Sequence, residues 1–168
     1  MHSNINNTEL FQFTQPELNF GQKVKTDDHY VGYIVGLDFY PETSSWVHGV
    51  HLIDRKPEIT DEIWYEAQQL QVIRSKINIL PTKLMYTNID NTKLFEFSQP
   101  ELSFGQKVKT EDNFFGYIVG LDFSPESKSW SYGVYLVDQH YQLIEEIWYT
   151  APELEVDLRF NAERKFSR

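Results

Sequence analysis

Apolar and polar residues alternate along this chain in short runs with a period of two. In FGQKVKT (20–26) Val24 points inward between Lys23 and Lys25, the pattern of a half-buried strand. YIVGLDF (33–39) follows, rich in β-branched and aromatic residues, and PETSS (41–45) has the composition of a hairpin loop. In SWVHGVHLID (45–54) alternation sets Trp46, His48, Val50 and Leu52 on one face, with Gly49 and His51 on the other. A polar stretch leads to EIWYEAQQLQV (62–72), read as a strand, a short turn of 3₁₀ type and a closing apolar pair, Leu70 and Val72. An earlier run, LFQF (10–13), alternates weakly. No segment carries a helical period, so the chain is predicted to be all-β.

The whole pattern then repeats. GYIVGLDF occurs at 32–39 and again at 116–123, and a gapless offset of 84 carries Thr8–Val72 onto Thr92–Val156 with about 39 of 65 positions identical. MHSNINNT at position 1 aligns with MYTNIDNT at 85, so the simplest history is one unit joined in tandem to itself. This predicts two domains: 1–84, ending in a connecting segment 73–84, and 85–168, ending in a polar tail 157–168. Two free copies of such a unit would form a homodimer, and the fused chain is expected to keep that pairing as a monomer with pseudo-two-fold repeats, or to form a weak dimer. Ile77, Ile79 and Leu80 make 73–84 too apolar for a free linker, so it is expected to pack on a domain.

All eight glycines fall at paired positions, 21/105, 32/116, 36/120 and 49/133. A glycine inside a strand marks a bulge, a bend or the close approach of another backbone, and several such strands in about 60 residues suit a small closed barrel. Phe20-Gly21 with Val24, then Gly32, Ile34 and Gly36, then Trp46, Gly49, Val50 and Leu52 resemble the SH3-like barrel pattern of Tudor and KOW modules, and all three elements recur in the second unit. The resemblance implies two tandem SH3-like small barrels. A closing Glu66-to-Leu70 element holds in the first unit only, since Thr150 replaces Glu66. At the scale of the whole chain, the duplicated FGQKVKT, GYIVGLDF and EIWY signature resembles a domain-of-unknown-function family of short proteins from filamentous cyanobacteria. That resemblance implies a fold and a source and no chemistry.

Composition narrows the function classes. The chain has no cysteine, which excludes disulfides, thiolate metal sites and a cysteine nucleophile. No apolar run is long enough for a membrane-spanning helix and no leader pattern opens the chain, so a soluble cytoplasmic protein is expected. The net charge of −10 divides as −4 for residues 1–84 and −6 for 85–168, and neither half offers the basic field that nucleic acid requires. The basic tail of Arg159, Arg164, Lys165 and Arg168 reads as solvated terminal charge.

Candidate chemistry is sparse. None of the five histidines (2, 29, 48, 51 and 140) has a histidine at the matching place in the other unit, and Tyr132 stands where His48 does, so His48 reads as a packed ring with a polar tip. No cofactor or metal site is expected. Six pairs of identical carboxylates match between the units: Glu17/Glu101, Asp28/Asp112, Asp38/Asp122, Glu42/Glu126, Asp54/Asp138 and Glu62/Glu146. Most flank predicted turns, where carboxylates cap and solvate. The best binding candidates are rings, namely Tyr33, Trp64 and Tyr65 with Tyr117, Trp148 and Tyr149, and Tyr135 where the first unit has His51. Adjacent Trp64 and Tyr65 must point to opposite sides, so one of each such pair faces outward or into an interface, and Tyr135 is expected to be exposed. The function expected is a non-catalytic module binding a protein or peptide at two related surfaces. The alternatives are an acidic mimic that occupies the nucleic-acid site of a basic protein, and a small hydrolase using Asp38 and Asp122.

Overall fold

The computed structural model describes residues 12–53, 62–74 and 97–157. Five strands come from the first unit: β1 (Lys23–Thr26), β2 (Val31–Tyr40), β3 (Ser45–Leu52), β4 (Glu62–Glu66) and β5 (Leu70–Val72). Five match them in the second: β6 (Lys107–Thr110), β7 (Phe115–Ser124), β8 (Ser129–Val137), β9 (Leu143–Thr150) and β10 (Leu154–Val156). One-turn 3₁₀ helices, Ala67–Gln69 and Ala151–Glu153, sit where the sequence places them, between β4 and β5 and between β9 and β10. LFQF does not form a strand over its described residues, 12 and 13. Phe13 is used as a core plug instead. The connecting segment beyond Arg74 and the tail beyond Asp157 lie outside the described residues.

Within each unit the strands pair antiparallel in the order β4-β3-β2-β1-β5, and correspondingly β9-β8-β7-β6-β10. β1 is only four residues long and covers β2 from Val31 to Tyr33, which leaves the second half of that edge of β2 unpaired within its own unit. β7 takes it: Gly36 pairs with Asp122, Leu37 with Leu121 and Asp38 with Gly120. Leu37 and Leu121 are 84 apart, so a local two-fold passes between them, and the ten strands form one continuous curled antiparallel sheet. Joining two exposed edges to each other removes both as sites for stray pairing.

The register of β2 on β3 shifts between Ile34 and Gly36, and that of β7 on β8 between Ile118 and Gly120. These bulges bend the long strands at a paired glycine, as the sequence anticipates. The loops after β1 and β6 close with His29 (φ 72°) and Asn113 (φ 68°) in the left-handed region, while the Thr26 and Thr110 hydroxyls accept the amides of Tyr30 and Phe114.

One side of the sheet is a buried aromatic core. Phe13, Phe39 and Trp46 of the first unit gather Phe104 of the second, with Trp46 and Phe104 centroids 5.2 Å apart and edge to face. Phe97, Phe123 and Trp130 of the second unit gather Phe20 of the first, with Trp130 and Phe20 5.3 Å apart. Each cluster is therefore completed by one phenylalanine from the other unit. Such pairs add roughly 0.5–1.5 kcal/mol each beyond the area they bury. The Trp46 and Trp130 indole N–H groups donate to the backbone carbonyls of Thr14 and Ser98 at 3.0 and 2.9 Å, which ties the segments carrying Phe13 and Phe97 to the sheet.

His48 lies in this core with no exposed surface, its Nε2 4.0 Å from Glu17. Burial pulls its pKa below the ordinary 6.5 and outweighs the nearby Glu17 charge. Its counterpart Tyr132 has a hydroxyl that accepts the amide of Glu101 at 2.9 Å. A base held neutral by burial contributes stability that is present above pH 6.5 and lost as pH falls below it. His48→Tyr is therefore expected to gain a hydrogen bond to the Glu17 amide, about 1 kcal/mol. Stability difference curves between variant and parent should widen from pH 7 to pH 5; a constant difference would rule out a buried neutral His48.

Candidate functional site

The opposite side of the central sheet carries the unusual chemistry. In the strand sequence β4-β3-β2-β7-β8-β9, alternation sets Trp64 and Glu62 of β4 on the same side as Gly49 of β3, Gly36 and Asp38 of β2, and their counterparts Trp148, Glu146, Gly133, Gly120 and Asp122. Trp64 stands two strands away from β2, yet its ring lies over Gly36. A Cβ at Gly36 would come within 2.6 Å of Trp64 Cη2, and one at Gly120 within 2.6 Å of Trp148 Cη2. The paired glycines are thus the floor of a shallow trough, along which both indoles reach inward and meet over the local two-fold. Their ring centroids are 5.8 Å apart at an interplanar angle of 49°, and 36% of Trp64 and 37% of Trp148 remain exposed.

Beneath the indoles four carboxyl groups gather in two pairs, and each pair draws one member from each unit: Asp38 with Glu146, and Glu62 with Asp122. Asp38 is only 4% exposed and the other three are half-buried. Asp38 Oδ1, Glu146 Oε1, Glu62 Oε1 and Asp122 Oδ1 are all enclosed with no hydrogen-bond donor among the described residues. Ionised carboxylates only accept, so two in contact cannot satisfy one another, whereas one proton held between them supplies the missing donor. Burial, reinforced by Glu146, pushes Asp38 up to about 10, and burial with Asp122 pushes Glu62 up to about 9. Asp122 and Glu146 are raised by burial too, but the partner's hydrogen bond holds them down. Each pair behaves as one proton-sharing unit.

The loops cross the two-fold as well. The Tyr135 hydroxyl donates to Glu42 of the other unit at 2.6 Å, and the charge of Glu126 acts on His51, the counterpart of Tyr135. Tyr135 is 8% exposed, a correction to the open position expected of it: neighbouring Val134 does face the other way, but the ring packs among buried residues and its hydroxyl is held by Glu42 of the opposite unit. Of the other six rings singled out, Tyr33, Tyr65, Tyr117 and Tyr149 are also buried. Trp64 and Tyr65 point to opposite sides as alternation requires, and the tryptophan is the outward one in both units. Of these seven rings, the exposed ones are therefore Trp64 and Trp148, which the fold brings together.

Turn-side roles hold for some of the paired carboxylates and fail for others. Asp138 accepts the amides of His140 and Gln142 at 2.8 and 2.9 Å, a turn-closing role. Asp38, Asp122, Glu62 and Glu146 instead lie inside strands and across the seam. The signal available in the sequence was their position, two residues after Gly36 or Gly120 and two before Trp64 or Trp148, which shares a face with both. Among the described residues no group of three or more histidine, aspartate or glutamate side chains is placed to hold a metal ion, and no helix is long and apolar enough to cross a membrane.

Family models, curated proteins and solved structures yield no match to the chain. Its function must be read from the seam itself.

Proposed function

We propose that the protein is a non-catalytic protein-interaction module that meets its partner at the seam between its two units. The observation that carries this reading is the exposed tryptophan pair at the two-fold. Large, rigid indoles left partly open at the surface are the residues that dominate interaction energies, and a pair of them in contact over a shallow trough offers a contact point. The order β4-β3-β2-β1-β5 with a 3₁₀ turn before β5 supports reading each unit as an SH3-like barrel, a class that presents ring-lined grooves to peptides. The reciprocal ring clusters and the Leu37–Leu121 register support an origin as a homodimer later joined into one chain.

The tagged native chain should capture a partner from its own lysate that a Trp64→Ala, Trp148→Ala double variant does not. The variant must keep the parent's far-ultraviolet spectrum and cooperative melting. Losing two central indoles is expected to weaken capture by a factor of about 30 or more, at roughly 2 kcal/mol or more for a hot-spot ring. Equal capture by both chains would remove the seam from consideration. The acidic-mimic reading draws support from the net charge of −10, and steep loss of the complex between low and moderate salt would favour it.

A further inference from the structure

The six strands around the seam, β4-β3-β2-β7-β8-β9, contain no lysine or arginine at all. They contribute Asp38, Glu62, Glu66, Asp122 and Glu146 to the face that carries the indoles, and the other titratable groups around the carboxyl pairs are Tyr40, His51, Tyr135 and, from the loops, Glu42 and Glu126. No cation of the strands themselves is available to these carboxyls. Asp38 adds an independent feature: it is 96% buried, and its orphaned Oδ1 is aimed across the seam, 2.8 Å from where a Cβ would stand on Gly120 of the other unit. In the free protein the only donor among the described residues for an acceptor enclosed in that way is the proton shared with Glu146, and a cationic N–H group can stand in for that proton.

We propose that the seam takes the ammonium or guanidinium group of a partner protein's lysine or arginine side chain, seated on the Trp64 and Trp148 faces and held against the Glu62 and Glu146 carboxyl pairs. The inference rests on the interaction reading above and names the chemistry of the partner. A cation is the one group that matches both halves of the site. Its charge is attracted to the indole faces, and its N–H groups donate to carboxylate oxygens. The two indoles, tilted and partly exposed, line the way in. In the free protein a proton stands in each carboxyl pair, and an incoming cation replaces it there, the proton passing to solvent. Binding therefore tightens as pH rises, because the displaced proton is released more readily as the proton activity of the solvent falls.

The test uses the full chain labelled with nitrogen-15 and the indole N–H signals of its four tryptophans, of which Trp46 and Trp130 lie in the core and serve as controls. The probes are blocked Gly-Lys-Gly, Gly-Arg-Gly and Gly-Glu-Gly peptides. The lysine or arginine peptide is expected to move the Trp64 and Trp148 signals and leave those of Trp46 and Trp130 in place, with half-saturation falling about threefold or more from pH 6 to pH 8. The glutamate peptide should move none. A Glu62→Gln, Glu146→Gln variant, its fold certified by unchanged Trp46 and Trp130 signals, should lose both the response and its pH dependence. Cationic peptides that leave Trp64 and Trp148 unmoved, or a response that survives in the glutamine variant, would overturn the inference. The interaction reading fails separately: if the lysate partner is lost from the tryptophan variant but kept by the glutamine variant, the module stands and the cation does not.

Discussion

Gly32→Ala is expected to cost about 3 kcal/mol or more, lowering the melting midpoint by roughly 6–12 °C. A Cβ at position 32 would stand 2.5 Å from the carbonyl oxygen of His51 and 2.6 Å from Val50 Cγ1, with the His51 carbonyl carbon at 3.0 Å. The obstacle is backbone. β3 is bonded to β2 on one side and to β4 on the other, so it cannot retreat without breaking a ladder. The same substitution at Gly116 meets Val134 Cγ1 at 2.5 Å and the Tyr135 carbonyl at 2.7 Å and should cost a similar amount. Gly36→Ala is the informative comparison, because its added carbon meets only the ends of the Trp64, Asp122 and Glu62 side chains. Thermal or urea unfolding of the three variants should rank positions 32 and 116 well below 36. An unchanged midpoint for Gly32→Ala would mean that β3 can shift, and that its close approach to β2 does not require glycine there.

The second large effect is a dependence of stability on alkaline pH that two amides should remove. The folded-state pKa values of Asp38 and Glu62 are raised, to about 10 and about 9, from ordinary values of 3.8 and 4.5. Between those limits the folded chain holds protons that the unfolded chain has released. The stability these groups contribute is thus fully present near pH 4 and is lost progressively as pH climbs toward 9 and 10. What is lost is the shared proton at each cross-unit pair, and ionising both members leaves two like charges enclosed between the units. Glu62→Gln with Glu146→Gln places a permanent N–H donor opposite Asp122 and Asp38. A hydrogen bond to a charged acceptor contributes about 1.5–3 kcal/mol, so with two such bonds the double variant should melt roughly 6–24 °C above the parent at pH 9, with little difference at pH 5. Melting curves across that range decide it. A variant less stable than the parent at pH 9 would mean that the carboxyl pairs do not share protons.

Much of the fold is legible along the chain. Alternation in KVKT places Val24 and Val108 in the core, and β1 and β6 form as the period predicts. The opposed facing of Trp64 and Tyr65 follows from two adjacent positions on one strand. The 3₁₀ turns follow from the break in pattern before Leu70 and Leu154. Tyr132 opposite His48 was enough to read that position as a packed ring. LFQF shows where periodicity fails, because Phe13 is held in the core by other rings and by a segment tied to Trp46, outside any strand ladder.

The candidate site was legible in its parts and not in its assembly. The two exposed tryptophans and all four seam carboxyl groups stand out as paired positions in a duplicated sequence. Duplication also conceals how they combine, since every residue has an equivalent 84 places away and an intra-unit contact satisfies the same pattern as a contact between units. What the sequence by itself determined is the set of strands, their inward faces and the places where they bend, because these depend on neighbours two to four residues apart. Only the tertiary structure decided that the free half of β2 pairs with β7. That one edge contact sets Asp38 against Glu146, Trp64 against Trp148 and Tyr135 against Glu42. The physical reason is that a strand edge carries backbone donors and acceptors common to every residue, so its partner is chosen by the shape of the folded units and not by the side chains along it.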